Sequence, residues 1–287
     1  MKFFKYFIQF VLVSFLFLIF KIIGLKLSRI LASKFFLIFG PFFRSKKIIE
    51  KNISFAFLNK DEKFKKIVIN KMWKFYGKIL AEYMFIRKFR ETDSNKFLKI
   101  KGQKILENIK VSKDPVIFIS GHFDNFELMA MHIEKSGIDI ATIYRPLNNN
   151  FLNPVMVNIR KKYICHKQIE KGISGTRKIL NYFKSGTSLA LMIDQRVSQG
   201  IKSLFFGKEA FTTTIPAQFV KKFNCKIVPI YIERKKNENF MLEIMEPISF
   251  NKEQTIEDIT LRLNKLLETM ILRNPYQWIW SHNRWKL

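Results

Sequence analysis

The stretch Val116-Ile-Phe-Ile-Ser-Gly-His122-Phe-Asp124-Asn125-Phe-Glu127 decides how this chain folds. A short β-branched run ends in Ser-Gly, which reads as a buried strand followed by a tight turn. The turn delivers His122 outside the core, and two carboxylates follow within one helical turn. An imidazole with an acid beside it is what activation of a hydroxyl requires. Asp124-x-x-Glu127 also reads as a capping box for the helix that follows, a purely structural use of both acids.

Working outward, strands are expected at 116–120, 138–144, 188–194, 225–233 and 240–245. Helices are expected between them at 125–135, 151–161, 174–184 and 213–222. Alternation of this kind gives an α/β fold with a largely parallel central sheet flanked by helices. Ligands gather at the carboxyl ends of such strands. His122, Tyr144-Arg145 and Asp194-Gln195 each follow the end of an expected strand, so three polar clusters converge on one edge. Thr255 is placed to cap a last helix with a stripe from Ile256 to Met270, which Asn274-Pro275 ends.

The first 45 residues differ in kind. Tyr6 to Phe20 is apolar except for Gln9 and Ser14, and Lys5 and Lys21 flank the run. Its length is marginal for a span of about 20 residues. A bulky Phe20-Lys-Ile-Ile-Gly sequence offers no small-x-small cleavage site. The aromatic patch Phe35 to Phe43 suits shallow contact with a membrane. The expected organisation is a membrane-anchoring or interfacial region over 1–45 and an α/β domain over 46–287. From Lys63 to about Phe89 the apolar positions Phe64, Val68, Met72, Phe75, Ile79 and Tyr83 predict one long amphipathic helix, with lysines on its other face.

The chain carries 51 Lys+Arg against 23 Asp+Glu, a net charge of +28 over 287 residues, which favours a polyanionic partner. The lysines are spread along the chain, no nucleic-acid recognition motif occurs, and the apolar amino terminus opposes that role, so no nucleic acid is expected. Cys165 and Cys225 lack CxxC spacing, and a reduced, cytoplasmic setting follows. Neither His132, His166 nor His282 stands at ligand spacing from His122, and Ser120-Gly-His lacks the G-x-S-x-G elbow. No metal, no cofactor and no covalent intermediate are expected.

Gly121-His122-Phe-Asp124-Asn125-Phe-Glu127 resembles the H-x4-D/E motif of membrane-associated acyltransferases, and its Asn-aromatic-Glu ending resembles the late lipid A (lauroyl/myristoyl) acyltransferases of lipopolysaccharide biosynthesis. Tyr144-Arg145-Pro146-Leu147-Asn148-Asn149 is similar to that family's Tyr-Arg-Pro block. Asp194-Gln195 followed by Phe205-Phe206-Gly207-x-x-Ala210-x-Thr212, and Pro275-Tyr276-Gln277-x-x-Trp280-Ser281-His282-x-Arg284, resemble two further blocks in the same order. The resemblance implies a glycerolipid-acyltransferase-like fold at the inner membrane, with the catalytic domain on the cytoplasmic side. It implies transfer from an acyl carrier protein or acyl-CoA thioester to a hydroxyl of a lipid A precursor beside an anionic membrane surface. It makes His122 the general base and Glu127 the acid that steadies it. Arg145 is then a ligand for phosphate or for the oxyanion. Asp194 and Gln195 are substrate contacts, with Asp194 free to pair with Arg145, and Asn125 is a substrate or turn residue. Asp124 departs from the pattern, which usually has a small residue there, and leaves open which acid pairs with the imidazole. A sister activity on another lysophospholipid or glycolipid shares the same base and acid, and a basic membrane- or nucleic-acid-binding protein without catalysis is the reading from another class.

Overall fold

The computed structural model describes residues 2–92 and 94–286; of the expected domain limits, Met1 and Leu287 lie outside these. In chain order come α1 (Lys2–Phe39), α2 (Lys46–Ala56), α3 (Glu62–Tyr83), α4 (Ile86–Glu91), α5 (Ser94–Phe97), β1 (Leu98–Lys101), α6 (Gln103–Ser112), β2 (Ile117–Ser120), α7 (Glu127–Lys135) and β3 (Ile140–Tyr144). There follow α8 (Leu152–Tyr163), β4 (Lys167–Glu170), α9 (Ile173–Lys184), β5 (Ser188–Met192), β6 (Ile201–Phe205), β7 (Lys208–Thr212), α10 (Ile215–Phe223), β8 (Ile227–Arg234), β9 (Phe240–Ile244) and α11 (Ile256–Arg273).

Seven strands form one sheet in the order β1-β9-β8-β2-β5-β3-β4, and β6 and β7 make a separate hairpin. Every pairing in the large sheet is parallel except β8 with β9, which a short turn joins. The alternating strands and helices therefore build the expected largely parallel sheet. Strand β2 is central and buried at all four positions, as an uninterrupted apolar run in a sheet covered on both faces should be.

Two local expectations fail. The helix predicted from Lys63 to Phe89 stops at Tyr83: Met84 N–H bonds back to Ala81 O at 3.2 Å, tightening the last turn, and α4 restarts so that Phe89 stacks edge-on against Phe97 and Phe240. The capping box at Asp124 does not form either. The residue before α7 is Phe126, and Asp124 adopts φ +36°, a conformation that side chains rarely take. Thr255 does cap α11, in a capping box with Asp258.

Helix α1 is long and apolar enough to cross a membrane. It bends at Gly24, whose φ of 78° breaks the helical ladder. Ser28 Oγ donates to the carbonyls of Phe20 and Gly24 at 3.0 and 2.7 Å, which answers acceptors at the bend. The helix packs along α3. Gly77 permits the approach, since a Cβ there would lie 2.1 Å from Ala32 O. Phe17 and Phe20 close the contact against Ala81.

Candidate active site

The register of β2 on β5 builds the site. Ser120 pairs with Met192, so the residues two positions beyond each strand end, His122 and Asp194, come out side by side. His122 Nδ1 lies 2.7 Å from Asp194 Oδ1, and the His122 backbone N–H donates to Asp194 Oδ2 at 2.8 Å. Trp278 Nε1 donates to the same Oδ2 at 2.9 Å. The carboxylate is 1 % exposed and fully engaged. Nδ1 must then carry the imidazole proton, which leaves the Nε2 lone pair outward. Gln195 Nε2 lies 3.5 Å from it. Phe126 meets the ring edge-on at 4.7 Å.

Burial pushes the His122 imidazolium down, but the charge of Asp194 and its hydrogen bond outweigh that and hold the ring above the usual histidine range. Asp194 is the mirror case. Burial raises it, and His122 together with the donated hydrogen bonds brings it below the usual carboxylate range. Such a pair is an oriented base.

His122 lines a cleft of about 230 Å³, with Asp124 and Gln277 beside it. Met72, Phe75 and Ile79 of α3 and Ile279 of the carboxyl-terminal tail give it apolar walls. Tyr76 lines it too, its hydroxyl 2.8 Å from Ser281 Oγ. A larger apolar depression of about 300 Å³ lies elsewhere, beside His132. That histidine bonds to Gln103 and is pushed down to about 4 by burial and Lys135, and no acid among the described residues bonds it.

The remaining candidates fall in different places. Glu127, expected to steady the imidazole, does not hydrogen-bond it. It sits in the first turn of α7 and accepts from Arg160 Nε of α8 at 2.8 Å and from the Tyr83 hydroxyl. Arg160 Nη2 also donates to Tyr83 at 3.0 Å. Nδ1 is already taken by Asp194, and a full guanidinium charge holds Glu127 on the other side. Its charge still reaches His122 and helps to raise it. Asp194 accordingly pairs with the base and not with Arg145. Arg145 is exposed, one residue past β3, a strand farther from His122. Asn125 is buried and donates to Glu82 Oε2 at 2.8 Å, so it belongs to the frame of the turn.

That frame is ionic and was not foreseen. Arg234, at the end of β8, grips Asp124 through Nη2 and Nε at 2.5 and 3.1 Å, and Glu82 through Nη1 and Nη2 at 2.5 and 3.0 Å. Arg29 of α1 donates to Glu82 at 2.6 Å. Burial would raise Glu82, but the two guanidinium groups keep it low. Two cations and two anions thus balance inside the protein, as buried charges must. The Asp124 carboxylate is therefore engaged by Arg234, and its strained backbone is held by Arg234 and by its own N–H on Gln277 O at 2.8 Å. Gln277 braces Arg234 in turn, accepting from its backbone N–H at 2.8 Å and donating to its carbonyl at 2.9 Å. The aromatic tail is thus structural where it touches the turn, and its Trp278 reaches Asp194.

Arg160, Tyr83, Glu82 and Arg234 escaped the sequence reading. One signal existed for Arg160: it lies on the same helical face as Met156 and Tyr163, an odd position for a solvated charge.

The sequence has relatives among known proteins. The chain is 22% identical over 246 residues to a lipid A biosynthesis acyltransferase of Haemophilus influenzae, covering 85% of this chain and 78% of that one. It is 22% identical over 249 residues to the lipid A biosynthesis lauroyltransferase of Escherichia coli (85% and 79% covered) and 23% identical over 250 residues to the palmitoleoyltransferase of the same organism (85% and 79%). The family model for bacterial lipid A biosynthesis acyltransferases matches residues 1–287. With His122, the cleft and the sheet that carries them all inside that match, the chain belongs to the bacterial lipid A biosynthesis acyltransferase family.

Proposed function

We propose that this protein transfers a fatty acyl chain from a thioester donor, acyl carrier protein or acyl-CoA, to a hydroxyl of a lipid A precursor, with His122 as general base. The observation that carries this reading is the 2.7 Å hydrogen bond from His122 Nδ1 to Asp194, which leaves the Nε2 lone pair for a substrate in a cleft that His122 shares with Met72, Phe75 and Ile79. Nε2 takes the hydroxyl proton as the alkoxide oxygen bonds to the thioester carbon. The C–S bond then breaks, and the imidazolium returns the proton to the departing thiolate. Asp194 fixes the tautomer and stabilises the imidazolium, as the acid of a triad does. Glu127 acts through Arg160, holding the guanidinium beside the base, where its charge suits a developing oxyanion or a phosphate. Arg145, on the same edge, suits a phosphate of the acceptor or the phosphate-bearing donor. Met72, Phe75 and Ile79 suit an acyl chain.

The exposed apolar flank of α1 and the charge of +28 support work at an anionic inner-membrane surface, with the domain on the cytoplasmic side where thioester donors are made. Purified full-length protein given acyl carrier protein thioester and a lipid A precursor should yield the acylated product by mass spectrometry, and His122→Ala should not. Near-normal turnover by His122→Ala defeats the assignment of the base. Faster acylation of a lysophospholipid than of the lipid A precursor would move the substrate to the sister class.

A further inference from the structure

We propose that α1 lies in the plane of one membrane leaflet, with its amino terminus and the α/β domain on the same side of the bilayer. The inference rests on the membrane role argued above and goes beyond it, because composition alone allows the helix to cross.

One face of α1 is docked on the domain along almost its whole length. Near the amino terminus the rings of Phe3, Phe7 and Phe10 surround Phe151 at centroid distances of 5.2, 5.7 and 6.0 Å. Asn149 Nδ2 donates to Tyr6 O at 2.9 Å and to Gln9 Oε1 at 3.3 Å. Farther on, Phe17 and Phe20 pack on Ala81. Past the bend, Arg29 pairs with buried Glu82 and Ala32 rests on Gly77. These contacts extend over roughly 40 Å of helix. A bilayer core is about 30 Å thick. If α1 stood across it, the domain would have to go in with it. The turn at Asn148–Asn150, which is irregular backbone with two exposed amide side chains, would then sit in hydrocarbon. So would the exposed Lys161 and Lys162 at the end of α8.

The opposite face tells what covers it. Phe4, Ile8, Leu12, Phe15, Leu18 and Ile22 are exposed at helical spacing, and beyond the bend the surface continues through Phe35 and Ile38 to Phe42, 83 % exposed. Lys5, Lys21, Lys26 and Lys34 are exposed along the same length. A continuous apolar stripe edged with lysines matches one leaflet of an anionic bilayer: the stripe enters the acyl boundary and the lysines stay among the head groups.

Impermeant maleimide labelling tests this. Cys165 and Cys225 are both buried, so the native background is low. Single cysteines are introduced in the full-length protein by Lys2→Cys on α1 and Lys236→Cys on the domain, both at exposed positions. Sealed spheroplasts and inverted inner-membrane vesicles are labelled separately. The expected result is that both cysteines react in the same preparation and neither reacts in the other. Reaction in opposite preparations means that the helix crosses, and overturns the proposal. Recovery of the protein as a soluble, self-associated particle that does not float with phosphatidylglycerol vesicles also overturns it, because a second copy then covers the stripe. Turnover by His122→Ala, measured on the same membranes, reports on the catalytic reading separately.

Discussion

His122 and Asp194 stand 72 residues apart in the chain, yet the imidazole Nδ1 and a carboxylate oxygen meet at 2.7 Å because their strands pair in register. Asp194→Asn should leave the fold intact and lower the turnover number by about 10²–10⁴-fold, since an amide can hold the ring in the wrong tautomer. The sign of the pH effect follows from the pair. A general base at His122 needs the neutral ring, and His122 is held above the usual histidine range. Wild-type activity should therefore rise with pH through an apparent pKa above that of an ordinary histidine. Removing the carboxylate charge lowers the ring's pKa, so the limb in Asp194→Asn should move to lower pH while its plateau falls. A full pH–rate profile of both proteins checks both parts.

Glu127 separates two accounts of the acid. If it acts through Arg160 and Tyr83, Glu127→Gln should cost about 10- to 100-fold and move the limb down by less than Asp194→Asn does. Arg160→Met should give a loss of similar size, and the double variant should lose little more than either single one. A larger loss in Glu127→Gln than in Asp194→Asn would return Glu127 to the imidazole.

The buried ionic frame predicts a stability effect. Arg234→Met leaves Asp124 and Glu82 buried without their shared guanidinium. Removing one partner of a buried pair costs about 3–5 kcal/mol. Urea unfolding in detergent should register that loss, and activity should fall with it because Asp124 sets the turn that carries His122.

Gly77 predicts a packing effect. A Cβ there would meet Ala32 O at 2.1 Å, backbone that cannot step aside. Gly77→Ala should destabilise by about 1–3 kcal/mol, read as a lowered Tm. It should also make α1 more accessible to protease.

Much of this was legible from residues alone. The alternation of strands and helices gave the sheet, and β-branched runs such as Ile117-Phe-Ile located its centre to within a residue or two. Convergence of His122 and Asp194 on one edge could be read from strand ends. Their contact could not, because it depends on β2 and β5 being neighbours, and strand order is a long-range property. The helix ends that local chemistry decides, such as the Thr255 cap, were readable. The turn at Asp124 was not, since a local capping rule lost to an ion pair with Arg234, 110 residues away. Edge strand β4 and the hairpin of β6 and β7 are short and mixed in polarity, and neither carries a period strong enough to find.

The frame around the turn also sets an order of assembly. Glu82 leaves the ribosome 152 residues before Arg234, and the Trp278 that donates to Asp194 follows 84 residues after it. A chain halted before Arg234 holds the histidine on an unlocked turn, and one clipped before its tail lacks the indole that helps to fix Asp194. On the role proposed for His122, either fragment carries the base without its full alignment, so activity should begin only once synthesis is nearly complete.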